Sequence, residues 1–220
     1  LPLFCGCLDE DHLYQPGAHL IDDHRVWGPM IALFTGARTA EIAQLFVNEA
    51  TIDDAIPVFN IQATEGRKLK NKFAPRQIPI HPMLLDLGFD EYVRRMKQSG
   101  QKRLFPLWTW SAGKKAADAS SQRSFRRTII PQISERTNPK PVFHSFRSTM
   151  KGEMVRVGMH EIRQNAILGH EQIGQTGTYL REIALPTLDE AMKSVTYSGV
   201  DFVPILRARG KKAATSKRSK

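Results

Sequence analysis

Cysteine is scarce in this sequence. Only Cys5 and Cys7 occur in 220 residues. A disulfide framework is therefore excluded, a lone Cys-x-Cys is weak ground for a metal site, and a reducing cytoplasm fits best. No run of about 18 apolar residues is present, which excludes a transmembrane helix. A secretory leader and internal repeats are also missing. The first residue is Leu1, which reads as a fragment or trimmed chain. Acid is in deficit, with 22 Asp+Glu against 32 Lys+Arg and a net charge of +10. Seven of those bases, and no acid, fall in Arg207–Lys220, "RARGKKAATSKRSK", which reads as a solvated, disordered tail. Such a tail attracts polyanions, nucleic acid first among them. A hydrophobic content of 41% with 25% charged residues is ordinary for a chain that buries a core.

Residues 1–20 hold Pro2, Gly6, Pro16 and Gly17 and read as an irregular lead-in. "DDHRVWGPMIALFTG" predicts a helix from Asp22, with acid at its start and Thr35-Gly36 at its end; Pro29 should kink it or shift its start. A second helix is expected from Thr39 as N-cap, with Ile42, Leu45 and Phe46 on one face. "IPVFNIQA", "KLK" and "RQIPI" suggest three short antiparallel strands near residues 57–80, with "EGR" as a turn. Helices are then expected in "DEYVRRMKQSG", "FHSFRSTMKGEMVRVG", "HEIRQNAILG" and "LPTLDEAMKSVTY". Residues 109–122 read as a loop, and "SFRRTIIPQI" as partly helical. The fold class is α+β, mostly α-helical with a small three-stranded antiparallel sheet.

Individually, the chemically interesting residues are ambiguous. Arg38 opens a helix, where its charge opposes the helix dipole, and an anion opposite it would explain the placement. His144 and Arg147 share a face at a spacing of three, between core-forming Phe143 and Phe146. Lys68, Lys70 and Lys72 alternate, as on a lysine-protected edge strand. His170 follows a helix-ending Gly169, and Tyr179 lies nine residues further on.

Their order and spacing are more specific. "TGARTAEIAQL", "KLKNKFAPRQIPIHP", "FHSFRSTM", "ILGHE" and "TGTYLRE" occur in that sequence. The chain resembles the tyrosine recombinase family, the phage integrases, from Leu1 through Tyr197. The pattern is an arginine after Thr-Gly-x, a hairpin lysine, His-x-x-Arg, Leu-Gly-His, and a tyrosine nine residues after that histidine. The resemblance covers the catalytic domain, placed at 1–198 with 199–220 as the basic tail. The family's usual N-terminal DNA-binding domain is not in this sequence.

The resemblance implies Arg38, Lys70, His144, Arg147, His170 and Tyr179 as the catalytic set. Tyr179 would attack a DNA phosphate and leave a 3′-phosphotyrosyl link. Arg38 and Arg147 would hold the phosphate bidentately, and Lys70 would protonate the leaving 5′-oxygen. His144 and His170 would donate hydrogen bonds or assist proton transfer. Gly174 and Gly177 would let the tyrosine segment move. No cofactor or metal is implied. The implied partners are double-stranded attachment sites, a homotetramer on DNA that is a monomer when free, and accessory bending or directionality factors. Residues 187–197 would dock on a neighbouring protomer. Two departures stand out: Ser148-Thr149 follow the arginine of His-x-x-Arg, and "KNKF" is an unusual hairpin sequence. Tyr197 does not follow the Gly-His register and reads as structural. Rival readings are a type IB topoisomerase, a non-catalytic DNA-binding remnant, and a basic structural protein.

Overall fold

The structure, a computed structural model, describes residues 7–8, 14–15, 22–63, 75–108, 142–170, 183–198 and 200–208. In chain order the elements are β1 (Cys7–Leu8), β2 (Tyr14–Gln15), α1 (His24–Thr35), α2 (Thr39–Ala43), a 3-10 turn (Val47–Glu49), β3 (Ala50–Thr51), β4 (Val58–Ile61) and β5 (Arg76–Pro79). Helices α3 (Pro82–Asp86), α4 (Phe89–Gln98), α5 (Ser145–Arg156), α6 (Glu161–Leu168), α7 (Leu185–Ser194) and α8 (Val203–Ala208) follow. Among the described residues no helix is long and apolar enough to cross a membrane.

Helix α1 is the axis of the core. Asp23 caps it, its carboxylate accepting from the Arg25 N–H at 2.8 Å. Val26, Trp27, Met30, Ile31, Ala32 and Phe34 are all buried, on every side of the helix. That burial on all faces carries Pro29 inside the helix despite the missing amide donor, so Pro29 does not move the helix start. α1 packs on α5 and α2. A chain of aromatic contacts ties it to the sheet and to α4: Trp27 to Phe89 at 5.1 Å and Phe89 to Phe59 at 5.4 Å between centroids.

The sheet is antiparallel with order β3-β4-β5. Phe59 pairs with Ile78 on the buried face, while Asn60 pairs with Gln77 on the outer face and the two side chains hydrogen-bond at 2.8 Å. Two of the three expected strands are present. The third described strand is Ala50–Thr51, upstream of the expected range, and "KLK" lies outside the described residues. A two-residue strand is too short to show alternation. For the same reason β1 and β2 were not expected: they pair antiparallel within the supposedly irregular lead-in, Cys7 opposite Gln15.

Helices α6 and α7 pack against β5. The expected stripe on α7 is buried, with Leu188, Met192 and Val195 at 7%, 0% and 0% exposure. In the chain by itself this apolar face is part of its own core. Past residue 198 the packed body continues. Phe202 packs on Phe34 in a tilted contact, and Leu206 of α8 is buried. The expected helix and loop in 109–133 lie outside the described residues.

His81 joins the two ends of this body. It caps α3, its Nδ1 accepting from the Met83 N–H at 3.1 Å, so the proton of the neutral ring sits on Nε2, 3.0 Å from the Val195 carbonyl. The ring stacks on Phe34 at 4.5 Å. Burial pushes its pKa below the usual 6.5, against the opposing Val195 hydrogen bond. The unfolded chain therefore binds a proton more readily, and this contribution to stability is complete above about pH 6.5 and lost as pH falls below it. His81→Asn keeps a good N-cap and removes the titration. Urea melts between pH 5 and 7.5 should show a shallower acid loss for the variant, by up to about 1.4 kcal/mol per pH unit. Equal slopes would contradict this assignment.

Candidate active site

Three corners of the fold meet around one guanidinium. The first is the α1–α2 turn. Thr35 closes α1 with its hydroxyl donating to the Ile31 carbonyl at 2.6 Å and accepting from the Ala37 N–H at 3.0 Å. Gly36 takes the left-handed conformation, φ 63°, and a Cβ there would come 2.5 Å from Leu168 Cδ2. The Thr-Gly pair thus turns the chain sharply and brings α6 against it. Arg38 follows as the N-cap residue of α2, one position earlier than the expected cap at Thr39. Because arginine cannot accept a bond, the cap is made in reverse: the Glu41 carboxylate takes the Arg38 backbone N–H at 2.9 Å and its Nη1 at 2.7 Å.

The second corner is the start of α5. Arg147 is 6% exposed. Its Nη1 donates to the Gly36 carbonyl at 2.6 Å, and its Nη2 to the Leu168 carbonyl at 2.7 Å. The third corner is the end of α6, where Gly169 is also left-handed, φ 67°. There the Nε2 of His170 lies 2.7 Å from Arg147 Nη2. Arginine only donates, so Nε2 is the acceptor and the neutral ring carries its proton on Nδ1. Burial holds the His170 pKa below 6.5, reinforced by the charges of Arg147, Arg38, Lys151 and Arg76. His170 is accordingly neutral at neutral pH, with one N–H donor left to aim. Burial, with Arg38 nearby, pushes the Arg147 pKa down to about 10, so this group stays charged at neutral pH.

Arg38, Arg147 and His170, far apart in sequence, thus share one site. His144 is at the same end of α5 but plays a different part. It is the exposed N-cap residue, one position before the helix, and its side chain makes no cap hydrogen bond. Its backbone is helical and its carbonyl accepts from the Arg147 N–H at 3.1 Å, in keeping with the expected shared face, but Arg147 is buried and His144 exposed. Lys70, Tyr179, Gly174 and Gly177 lie outside the described residues.

Two charged groups at this site escaped the sequence reading. Glu41 is 5% exposed, and Arg76 donates to it through Nη2 at 2.9 Å. Burial opposes ionisation of Glu41, but the Arg76 charge and the hydrogen bonds from Arg76 and Arg38 outweigh it and hold its pKa below the usual value. A signal existed. In "RQIPI", Arg76 stands in register with Ile78 and Ile80 at inward positions of a strand, where an arginine needs a buried partner.

Among the described residues the site thus gathers three guanidinium groups against one carboxylate, a surplus of positive charge suited to a phosphate. A comparison with family models matches residues 24–184 to the phage integrase family. The chain belongs to that family. The match spans all three corners, from α1 through α6, and continues across residue 179. At family level membership assigns site-specific DNA recombination and integrase activity, with DNA as the partner. No curated protein and no solved structure gives a significant match to this integrase-family chain.

Proposed function

We propose that this chain cuts and rejoins DNA by metal-independent transesterification, with Tyr179 as nucleophile. Arg38 and Arg147 clamp the scissile phosphate. Of the five donors of Arg147, three are committed to Gly36, Leu168 and His170 among the described residues, which fixes the plane of the fork and leaves two donors for phosphate oxygens. That bonding of Arg147 is the observation that carries this reading. A guanidinium held on backbone carbonyls of two separate corners needs no reorganisation as charge builds on the phosphorane-like transition state. Neutral His170 contributes its Nδ1–H to the same phosphate.

The Tyr179 oxygen attacks phosphorus as its phenol proton passes to a water molecule, and the bond to the 5′-oxygen breaks. That oxygen takes a proton from Lys70, leaving a 3′-phosphotyrosyl link and a 5′-hydroxyl. A 5′-hydroxyl from the partner duplex reverses the exchange. One phosphoester replaces another, so no nucleotide hydrolysis is needed. The family resemblance extends this proposal to recombination between two attachment sites by a homotetramer, through a Holliday junction. His144, exposed at the start of α5, donates a further hydrogen bond to the phosphate in this reading.

The test is a duplex nicked close to the cleavage point, so that the short 5′-hydroxyl strand diffuses away and traps the enzyme. With EDTA present, a covalent protein–DNA species should accumulate on denaturing gels. Adduct that appears only when a divalent metal is supplied would contradict the metal-independent step.

A further inference from the structure

Arg76 has no part in the mechanism as stated, yet its guanidinium is among the most enclosed charges in the described structure, with 6% side-chain exposure. It touches two of the site's corners at once. Nη2 and Nη1 donate to Glu41 at 2.9 and 3.4 Å, and Glu41 is the group that holds Arg38. Nε donates to the Ile167 carbonyl at 2.7 Å, in the last turn of α6, two residues before Gly169. A Cβ at Gly169 would lie 2.7 Å from Nη1, so the left-handed glycine is also what lets the guanidinium close over the helix end. Cations favour helix C-termini, where carbonyls lack partners. Here Arg76 takes Ile167 and Arg147 takes Leu168, so two arginines share one helix end.

We propose that Arg76 is a positioning residue of the phosphate clamp. Through Glu41 it fixes Arg38, and through Ile167 it fixes the turn that delivers His170 to Arg147. Three of its five donors are committed to Glu41 and Ile167, and its part in the clamp is to hold those two groups. The proposal rests on the phosphate-clamp reading given above. A buried arginine could instead serve folding alone, and the two roles differ in what they do to phosphate charge. A role in the clamp predicts a loss that depends on the negative charge at the scissile phosphorus. A role in folding predicts a loss that ignores it.

The experiment uses the full chain, single-turnover cleavage of the nicked duplex, and a matched duplex with a methylphosphonate at the scissile position. The methyl group replaces one non-bridging oxygen and removes the charge that the arginines neutralise. Arg76→Gln should bind the duplex within about twofold of wild type and cleave the phosphodiester about 100-fold more slowly, the scale of one misplaced donor. On the methylphosphonate the deficit should shrink at least tenfold. Arg76→Lys keeps a charge for Glu41 but not the fork that also reaches Ile167. It should lose about tenfold, with the same dependence on substrate, and it carries the test if the glutamine variant does not fold. Wild-type cleavage by either folded variant, or an equal deficit on both substrates, overturns the proposal. Absence of cleavage by the wild type itself would instead sink the phosphotyrosyl reading and take this proposal with it.

Discussion

Tyr179→Phe should abolish the covalent protein–DNA adduct while leaving folding and DNA binding intact. The change removes one oxygen and almost no volume, so packing is preserved. What disappears is the only atom that can attack phosphorus in the proposed mechanism. Tyr92 and Tyr197 are poor substitutes. Tyr92 is buried and donates to the Leu104 carbonyl at 2.7 Å, and Tyr197 donates to the Leu33 carbonyl from beneath the α1–α5 contact. Burial raises both pKa values well above 10, the opposite of what a nucleophilic phenol needs. Adduct should therefore fall below detection, and no slower secondary adduct should replace it. Denaturing gels of the trapped complex, with gel shifts of the native one, separate the two effects. Adduct formed by the phenylalanine variant would move the nucleophile elsewhere, with Tyr197 the first residue to examine.

Arg147→Ala should slow cleavage by about 100- to 1000-fold, the loss associated with one well-placed donor to a developing oxyanion. Its structural cost is separable. Truncation strands the Gly36 and Leu168 carbonyls, each worth about 1–3 kcal/mol when left buried without a partner. Arg147→Lys tells the effects apart. A lysine retains a charge at this position but cannot span two carbonyls, a histidine and a phosphate in one plane. It should recover part of the stability in urea melts and little of the cleavage rate. Full catalytic recovery by lysine would mean that charge alone suffices, and that the fork geometry described for Arg147 has no catalytic part.

The helices were legible because their ends are written in residue types with a local physical reason. Asp23 caps α1, Gly36 and Gly169 end α1 and α6 in the left-handed conformation, and Pro82 opens α3 behind His81. Strands of two residues carry no such marks, which is why β1, β2 and β3 are not apparent in the sequence, whereas β4 and β5 fall within the expected range 57–80. Arg38, Arg147 and His170 were found through motif order, and their convergence could not have come from local pattern. It depends on α5 crossing α1 so that Arg147 meets Gly36, 111 residues away. Arg76 and Glu41 were overlooked because a charged residue in a polar stretch reads as solvated. Only the strand register shows that Arg76 faces inward with Ile78. The apolar stripe of α7 was read correctly, but a stripe does not say which chain covers it, and here it is the chain's own core.

The most direct measurement is to digest the trapped adduct and locate the nucleotide by mass spectrometry. A wild-type adduct formed in EDTA should carry its DNA remnant through a 3′-phosphate on the peptide containing Tyr179, and on no other peptide. A remnant on Tyr92 or Tyr197, a linkage through a 5′-phosphate, or no adduct under conditions where the protein binds the nicked duplex would contradict the proposed chemistry.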